Sequence, residues 1–175
     1  MRDTPARLFV VTGIQASGKS TVARALAARF DHGVHIEADV LHGMIVTGGI
    51  LPDGAGPVPY DAARQLRLRL HNAALLARSF REAGFTAVLD DIIIGDRLAH
   101  LREDLADVSF ELIVLAPHVD AVIADRDPNR AKATIGPAAA HYLDAELRRT
   151  MAGIGRWIDT TNMSVSQTVD AILAT

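Results

Sequence analysis

Residues 8–30 read LFVVTGIQASGKSTVARALAARF, and this stretch decides the fold. Its apolar start, Leu8–Thr12, predicts a buried β-strand. Residues 13–20 then have the spacing G-x-x-x-x-G-K-[ST], and residues 18–30 carry apolar side chains at helical spacing. A strand, a glycine-containing loop of this spacing and a helix, in that order, are typical of a phosphate-binding loop.

Each residue type in this loop has a physical reason. Gly13 and Gly18 allow the backbone to wrap closely around phosphates and to point its N–H groups inward. The following helix adds unpaired amides and the positive end of its dipole. Lys19 is predicted to reach the β and γ phosphates, and the Ser20 hydroxyl is predicted to bind Mg²⁺. The predicted nucleotide contacts in the loop are Gly13, Gln15, Ala16, Ser17, Gly18, Lys19, Ser20 and Thr21.

Composition excludes several other classes of protein. The chain has 175 residues, of which 49% are apolar, so a single globular domain over residues 1–175 is expected. The net charge is -3 without a basic patch, so we expect no nucleic-acid partner. No run approaches the roughly 20 apolar residues of a membrane span, and residues 1–5 lack the apolar core of a secretory signal. We therefore expect a cytoplasmic protein without a membrane partner.

Five short apolar segments alternate with helical patterns along the chain. This alternation predicts a three-layer α/β domain, with a five-stranded parallel sheet and helices on both faces. Ligands of such sheets bind outside the carboxyl ends of the strands, so the residues after each strand are the candidate site residues. The predicted strands are residues 8–12, 34–38, 85–89, 110–115 and 157–161, and the predicted helices are residues 18–30, 40–47, 60–83, 96–106, 118–126, 138–151 and 165–173.

Two adjacent acids, Asp90 and Asp91, follow the third predicted strand. An apolar strand that ends in aspartate beside a phosphate loop resembles a Walker B element, whose carboxylate holds Mg²⁺, usually through water. One of the two acids can serve the metal while the other faces the substrate. The alternative is that one of them caps the next helix.

Asp39 follows the second predicted strand. From there its carboxylate either accepts the proton of an attacking hydroxyl group or hydrogen-bonds and orients the hydroxyl groups of a substrate. The alternative is an N-cap of the helix predicted to follow it.

Basic residues follow the fourth predicted strand. Arg126, Arg130 and Lys132 come before a Gly-Pro stop, so residues 127–137 are predicted to close over the nucleotide as a lid that stabilises the transferred phosphoryl group. The alternative is a solvated charged loop. Arg67, on the polar face of the longest helix, either borders the acceptor pocket or faces solvent.

Together these residues resemble the small P-loop kinases of the nucleoside, shikimate and gluconate type, and above all the chloramphenicol phosphotransferase family. The matching positions run from the phosphate loop to the end of the chain: residues 13–21, Asp39, Arg67, residues 83–84 and 88–92, Arg126, Arg130 and residues 159–161. The resemblance implies transfer of the γ-phosphate of ATP, with Mg²⁺, to a hydroxyl group of a small molecule. It also implies Asp39 as the general base and the strand order 2-3-1-4-5.

The predicted partner is thus a small hydroxylated acceptor, with antibiotics among the candidates. Residues 40–64 are expected to form the acceptor pocket, and their Gly/Pro-rich part is shorter than in chloramphenicol phosphotransferases. Within the kinases, the alternative is a nucleoside, nucleotide or sugar kinase. Outside them, the alternative is a P-loop ATPase or nucleotide-binding module. The absence of an Asn-Lys-x-Asp guanine signature argues against a GTPase.

Overall fold

A five-stranded parallel sheet forms the centre of the computed structural model, which describes residues 6–54, 56–128 and 136–174. The spatial order of its strands is β2-β3-β1-β4-β5, and helices cover both faces, which confirms the predicted fold class. The strands are β1 (Leu8–Thr12), β2 (Gly33–Glu37), β3 (Thr86–Asp90), β4 (Glu111–Leu115) and β5 (Arg156–Ile158).

The helices connect consecutive strands, as parallel pairing requires. A π-helical turn, Val122–Arg126, directly continues α5. The helices are α1 (Lys19–Ala27), α2 (Ala38–Gly43), α3 (Tyr60–Glu82), α4 (Arg97–Asp104), α5 (Val119–Ala121), α6 (Gly136–Met151) and α7 (Val165–Leu173).

The central strand β1 divides the apolar side chains between two cores. Successive side chains of a strand point to opposite faces of the sheet, so Leu8 and Val10 pack into one core and Phe9 and Val11 into the other. The first core includes buried side chains of α3, α4 and α6, and the second includes those of α1 and α7. All five residues of β1 and of β3 are buried, which explains why both strands read as continuous apolar runs.

The carboxyl ends of three strands meet at one edge of the sheet. Asp90 of β3 lies beside Val11 of β1 on one side and beside Glu37 of β2 on the other. The phosphate loop follows β1 and α2 follows β2, so the loop, Asp90 and the start of α2 are neighbours. This edge is where a doubly covered parallel sheet binds ligands.

Several predicted boundaries differ from the structure, and three of them bear on the cavity. The Gly-Pro pair predicted to end the lid opens a helix instead, because α6 begins at Gly136. The helix predicted over residues 40–47 is α2, Ala38–Gly43, so Asp39 lies in its first turn, where the helix dipole favours an acid. The last strand ends at Ile158 rather than at residue 161. The Asp159 carboxylate accepts a hydrogen bond from the backbone N–H of Thr161 at 2.9 Å, and this local turn bends the chain out of the sheet.

Candidate active site

The backbone of the phosphate loop needs glycine at both glycine positions of the motif. A Cβ atom at Gly13 would lie 2.5 Å from the carbonyl oxygen of Leu115, and Gly18 has a φ of 94°, which side chains disfavour. Ala16, between them, is the one non-glycine residue with a positive φ in the described part of the chain, at 59°. Strain of this kind clusters at ligand-binding sites, and it shapes the loop into a concave cradle of amides.

Lys19 and Ser20 begin α1 directly above this cradle. The Lys19 ammonium donates to the carbonyl of Ile14 at 2.8 Å, so it lies across the mouth of its own loop. The Ser20 hydroxyl donates to Asp90 Oδ2 at 2.8 Å. A hydroxyl and a carboxylate in contact offer the oxygen ligands that Mg²⁺ prefers, so Ser20 and Asp90 fit a magnesium site.

A histidine holds the other side of the Asp90 carboxylate. His35 Nε2 lies 2.7 Å from Asp90 Oδ1, and because a carboxylate oxygen only accepts, Nε2 carries the hydrogen. His35 and Glu37 lie two residues apart on one face of β2, and Glu37 is 3.4 Å from the Ser20 hydroxyl. Asp90 is therefore fixed by partners on both of its oxygens and is 4% exposed.

A buried arginine joins the two acids of the predicted acceptor site. The Arg69 guanidinium, on α3, donates to Asp39 Oδ1 at 3.0 Å and to Asp91 Oδ1 in a second, shorter hydrogen bond. Arg69 and Asp91 are buried, whereas the side chain of Asp39 is 54% exposed. Asp39 thus presents its carboxylate to the cavity while Arg69 anchors it from behind.

Burial also changes the protonation equilibria around Asp91. Burial raises the pKa of Asp91 above its ordinary value, and the positive charges of Arg69 and Arg97 oppose this rise. Burial lowers the pKa of Arg97, which donates to the carbonyl of Ile92 at 2.7 Å. Burial, followed by the charge of Arg69, lowers the pKa of His42 and favours its neutral form.

The π-helical turn brings Arg126 next to the phosphate loop, between the loop and the segment after β5. Its guanidinium donates to the carbonyl of Ser17 at 3.1 Å and to the carbonyl of Thr160 at 2.5 Å. It thus joins the phosphate loop to the segment after β5. π-Helical turns within helices frequently occur at functional sites, because the extra residue re-aims the side chains that follow it.

One cavity of about 1240 Å³ is lined by most of the loop residues, by Ser20 and Asp90, and by Asp39, Arg69, Asp91 and Arg126. Residues 15–21, Arg126 and Thr160 line its nucleotide end, and Asp39, Arg69 and Asp91 line its other end. A pocket for one small ligand usually encloses roughly 300–1,000 Å³, so this volume suffices for a nucleotide and a second molecule.

The cavity brings together most of the predicted site residues. Arg67 also lines it, but both terminal nitrogens of its guanidinium donate to Asp104, at 2.5 and 2.9 Å. Its contact with an acceptor stays a prediction. Arg130, Lys132 and most of the predicted lid lie outside the described residues.

Sequence reasoning missed Arg69 and His35. Arg69 interrupts the apolar stripe of α3 between Leu66 and Leu70, and a charge inside a buried stripe signals a buried partner. For His35, the signal was weaker: it shares a strand face with Glu37, near the end of β2, which lies beside β3 and its terminal Asp90.

A family profile described as AAA domain matches residues 8–169. This chain belongs to that AAA domain family. The match begins at β1 and ends within α7. It therefore includes all five strands of this AAA domain and the edge of the sheet at which the cavity lies. No curated protein matches the sequence significantly.

Solved structures with the same fold include several kinases. A sugar kinase from Janibacter sp. HTCC2649 is 21% identical, with a TM-score of 0.67 over 97% of this AAA domain and 93% of the kinase. The Deinococcus radiodurans tunicamycin resistance protein is 19% identical, with a TM-score of 0.69 over 97% and 94% of the two chains. Shikimate kinase from Acinetobacter baumannii is 20% identical, with a TM-score of 0.64 over 98% and 92%. These likenesses establish a P-loop kinase-like fold.

Within the described residues, no helix has both the length and the apolar character to cross a membrane.

Proposed function

We propose that this protein is a kinase that transfers the γ-phosphate of ATP to a hydroxyl group of a small molecule. One observation carries the proposal: the phosphate loop, the Ser20–Asp90 pair and the exposed carboxylate of Asp39 line one cavity. An ATPase that uses only water has no need of a cavity that extends beyond the phosphate loop to further acids. Phosphoryl transfer depends mainly on positioning and on charge, and this cavity offers both.

The proposed roles follow from the placement of each group. The loop amides and Lys19 bind the ATP phosphates, and Ser20 with Asp90 holds Mg²⁺. When bound, Mg²⁺ supplies positive charge that offsets the charge of the phosphates. Arg126 supports the nucleotide end, with Arg130 and Lys132 proposed to act from the lid. Asp91 and Arg67 are proposed to face the acceptor.

Asp39 is proposed as the general base. Its carboxylate accepts the proton as the acceptor hydroxyl oxygen forms a bond to the γ-phosphorus, and the bond from that phosphorus to the bridging oxygen of ADP breaks. The products are ADP and the phosphorylated acceptor, with the proton on Asp39. Arg69 keeps this carboxylate directed into the cavity because it donates to Asp39 Oδ1 at 3.0 Å.

Antibiotics are among the first acceptors to test. The resemblance to chloramphenicol phosphotransferases places antibiotics among the candidates, and a tunicamycin resistance protein shares the fold. The experiment incubates the protein with ATP, Mg²⁺ and a panel of hydroxylated compounds, and detects the mass gain of one phosphoryl group. Release of ADP that no acceptor accelerates would contradict a kinase and favour an ATPase.

Replacement of Asp39 tests the base separately from the kinase assignment. Asp39→Asn keeps an oxygen that can accept from Arg69 but cannot take a proton, so we expect kcat to fall about 10²–10⁴-fold, with little change in the KM for ATP. Asp31→Asn, at an exposed turn, is the matched control and should keep full activity. Full transfer by Asp39→Asn would remove the base role and leave Asp39 as a group that orients the acceptor.

A further inference from the structure

The outer face of α3 carries exposed leucines. The inner face of this helix is buried in the first core. Leu68, Leu75 and Leu76, termed the α3 stripe, lie along the outer face, with exposed fractions of 52%, 51% and 38%. Single exposed leucines are common, but a stripe of them along one helix indicates a surface that another molecule covers.

The two ends of the α3 stripe carry opposite charges. Arg64 lies four residues before Leu68, and Glu82 lies seven residues after Leu75, so helical spacing places both charges along the same edge of the stripe. Both side chains are exposed, and they lie about 27 Å apart along the helix. A helix that is basic at one end and acidic at the other complements an antiparallel copy of itself, because each basic end then meets an acidic end.

A groove of about 540 Å³ lies beside the basic end of the stripe. Arg64 and Leu68 line it together with Tyr60, His71 and His100. The Arg64 guanidinium lies 6.0 Å from the centre of the Tyr60 ring. The groove thus combines an aliphatic and an aromatic surface with basic groups, and it suits a side chain whose aliphatic stem ends in a carboxylate, as in glutamate.

Antiparallel pairing about Asn72 joins these features. Asn72 is exposed and lies midway between Leu68 and Leu76, so a two-fold axis beside it places Leu68 of one copy against Leu76 of the other. The same axis brings Glu82 of each copy to the groove beside Arg64 of the other. Parallel pairing would instead place Arg64 against Arg64 and Glu82 against Glu82, which like charges disfavour.

We propose that α3 forms the interface of a symmetric homodimer, in which the α3 stripes of two copies pack antiparallel and Glu82 of each copy pairs with Arg64 of the other. One surface patch then serves both copies, as in most two-fold dimers. The interface borders the active site, because Arg67 and His100 line both the groove and the cavity. The proposal does not depend on the kinase reaction.

The mass of the protein in solution tests the dimer. At roughly 100 µM, we expect sedimentation equilibrium to give about twice the 18.7 kDa of one chain. Leu68→Glu places a charge in the centre of the stripe and should raise the dissociation constant of the dimer about 100-fold or more. Ser166→Glu adds the same charge to an exposed position of α7, which packs on the other face of the sheet, and should leave the dimer intact. Equal unfolding free energies of the two variants as monomers show that the fold is kept.

A mass of one chain at this concentration overturns the proposal. A dimer that Leu68→Glu leaves as tight as before also overturns it, because the two copies then meet on another surface.

Exchange of the two charges tests the antiparallel arrangement. Arg64→Glu and Glu82→Arg should each raise the dissociation constant about 10-fold or more, because each sets like charges against one another. The double variant restores opposite charges and should regain the original value. An equimolar mixture of the two single variants should form mixed dimers, since two acids of one chain then meet two bases of the other. If neither the double variant nor the mixture dimerises more tightly than the single variants, the antiparallel arrangement is overturned.

Discussion

Asp90 shows how one residue is prepared for its role by its neighbours. A carboxylate can rotate about its last bond, and rotation would turn Oδ2 away from Ser20. The contact between His35 Nε2 and Asp90 Oδ1, at 2.7 Å, opposes this rotation. Partners of this kind orient the groups that bind a metal, and their loss typically weakens metal binding by about 10–100-fold.

The His35→Asn variant should therefore bind metal more weakly. Asn is too short to reach Asp90 from β2 with the geometry of the histidine, so the carboxylate becomes free to rotate. With Mn²⁺ as the probe, in the presence of ADP, we expect the dissociation constant measured by electron paramagnetic resonance to rise about 10-fold or more. ADP affinity without metal should stay the same.

A second histidine–aspartate pair supplies the control. His71 Nδ1 lies 2.9 Å from Asp104 Oδ1, and this pair joins α3 to α4, away from Ser20 and Asp90. His71→Asn makes the same chemical change outside the predicted metal site, so its Mn²⁺ affinity should equal that of the unaltered protein. Equal losses in both variants would show that His35 acts only through general stability.

Arg69 is expected to stabilise the buried negative charge of Asp91. Without the guanidinium, burial raises the pKa of Asp91 further, because Arg69 is the largest of the effects that lower it. An acid whose pKa is raised by folding supports stability below its ordinary pKa, and this support is lost as the pH rises through the raised pKa. We expect Arg69→Met to lose about 3–5 kcal/mol of unfolding free energy at pH 8 and less at pH 5, by urea denaturation.

The double variant Arg69→Met with Asp91→Asn distinguishes this cause from lost packing. The amide that replaces the Asp91 carboxylate carries no charge to bury, so the double variant should recover part of the stability at pH 8 and show a smaller difference between the two pH values than Arg69→Met. His42 acts in the same direction, because burial and then Arg69 lower its pKa. The same loss at both pH values in Arg69→Met would exclude a role for the buried charge.

At the scale of the element, the spacing of apolar residues predicted where helices and strands lie, because buried packing determines their positions. It did not predict all of their ends, which local hydrogen bonds can determine. The stripe of Leu66, Leu70 and Ala73 predicted α3, because helices bury side chains at this spacing. The end of β5 was predicted wrongly because a single side chain sets it, as the Asp159 turn shows. Such local hydrogen bonds leave almost no periodic signal in a sequence.

Gln65 is expected to hold the loop between α2 and α3, which belongs to the predicted acceptor pocket, in one conformation. Gln65→Ala removes both the donor to Gly48 and the acceptor from Ile50, the two bonds of 2.7 Å that tie the start of the loop to α3. The loop should become more mobile, so we expect the KM for the acceptor to rise about 5–10-fold. The KM for ATP, measured in the same assay, is the internal control, because Gln65 does not line the cavity. A change in the KM for ATP alone would contradict this role.

At the scale of the whole molecule, the sheet joins residues that are far apart in the chain. The phosphate loop could be predicted because its residues are consecutive and their spacing has a mechanism. The pairs that complete the site could not, because His35 and Asp90 are 55 residues apart and Arg69 and Asp91 are 22 apart. The order of strands brings His35 of β2 to Asp90 of β3, and the packing of α3 on the sheet brings Arg69 to Asp91. Neither arrangement can be predicted from the spacing of residues in the sequence.

Binding at the phosphate loop should stabilise the molecule as a whole. A ligand that binds only the folded state, present at 100 times its dissociation constant, adds about 2.7 kcal/mol to the free energy of unfolding. For a domain of this size each kcal/mol raises Tm by roughly 2–4 °C, so a non-hydrolysable ATP analogue with Mg²⁺ should raise Tm by about 5–10 °C. In Lys19→Ala the ammonium that lies across the loop is gone, and the same ligand concentration should raise Tm by much less. Arg29→Ala removes an equal charge from an exposed ion pair with Asp170 and should keep the full shift. An undiminished shift in Lys19→Ala would place the nucleotide somewhere other than this loop.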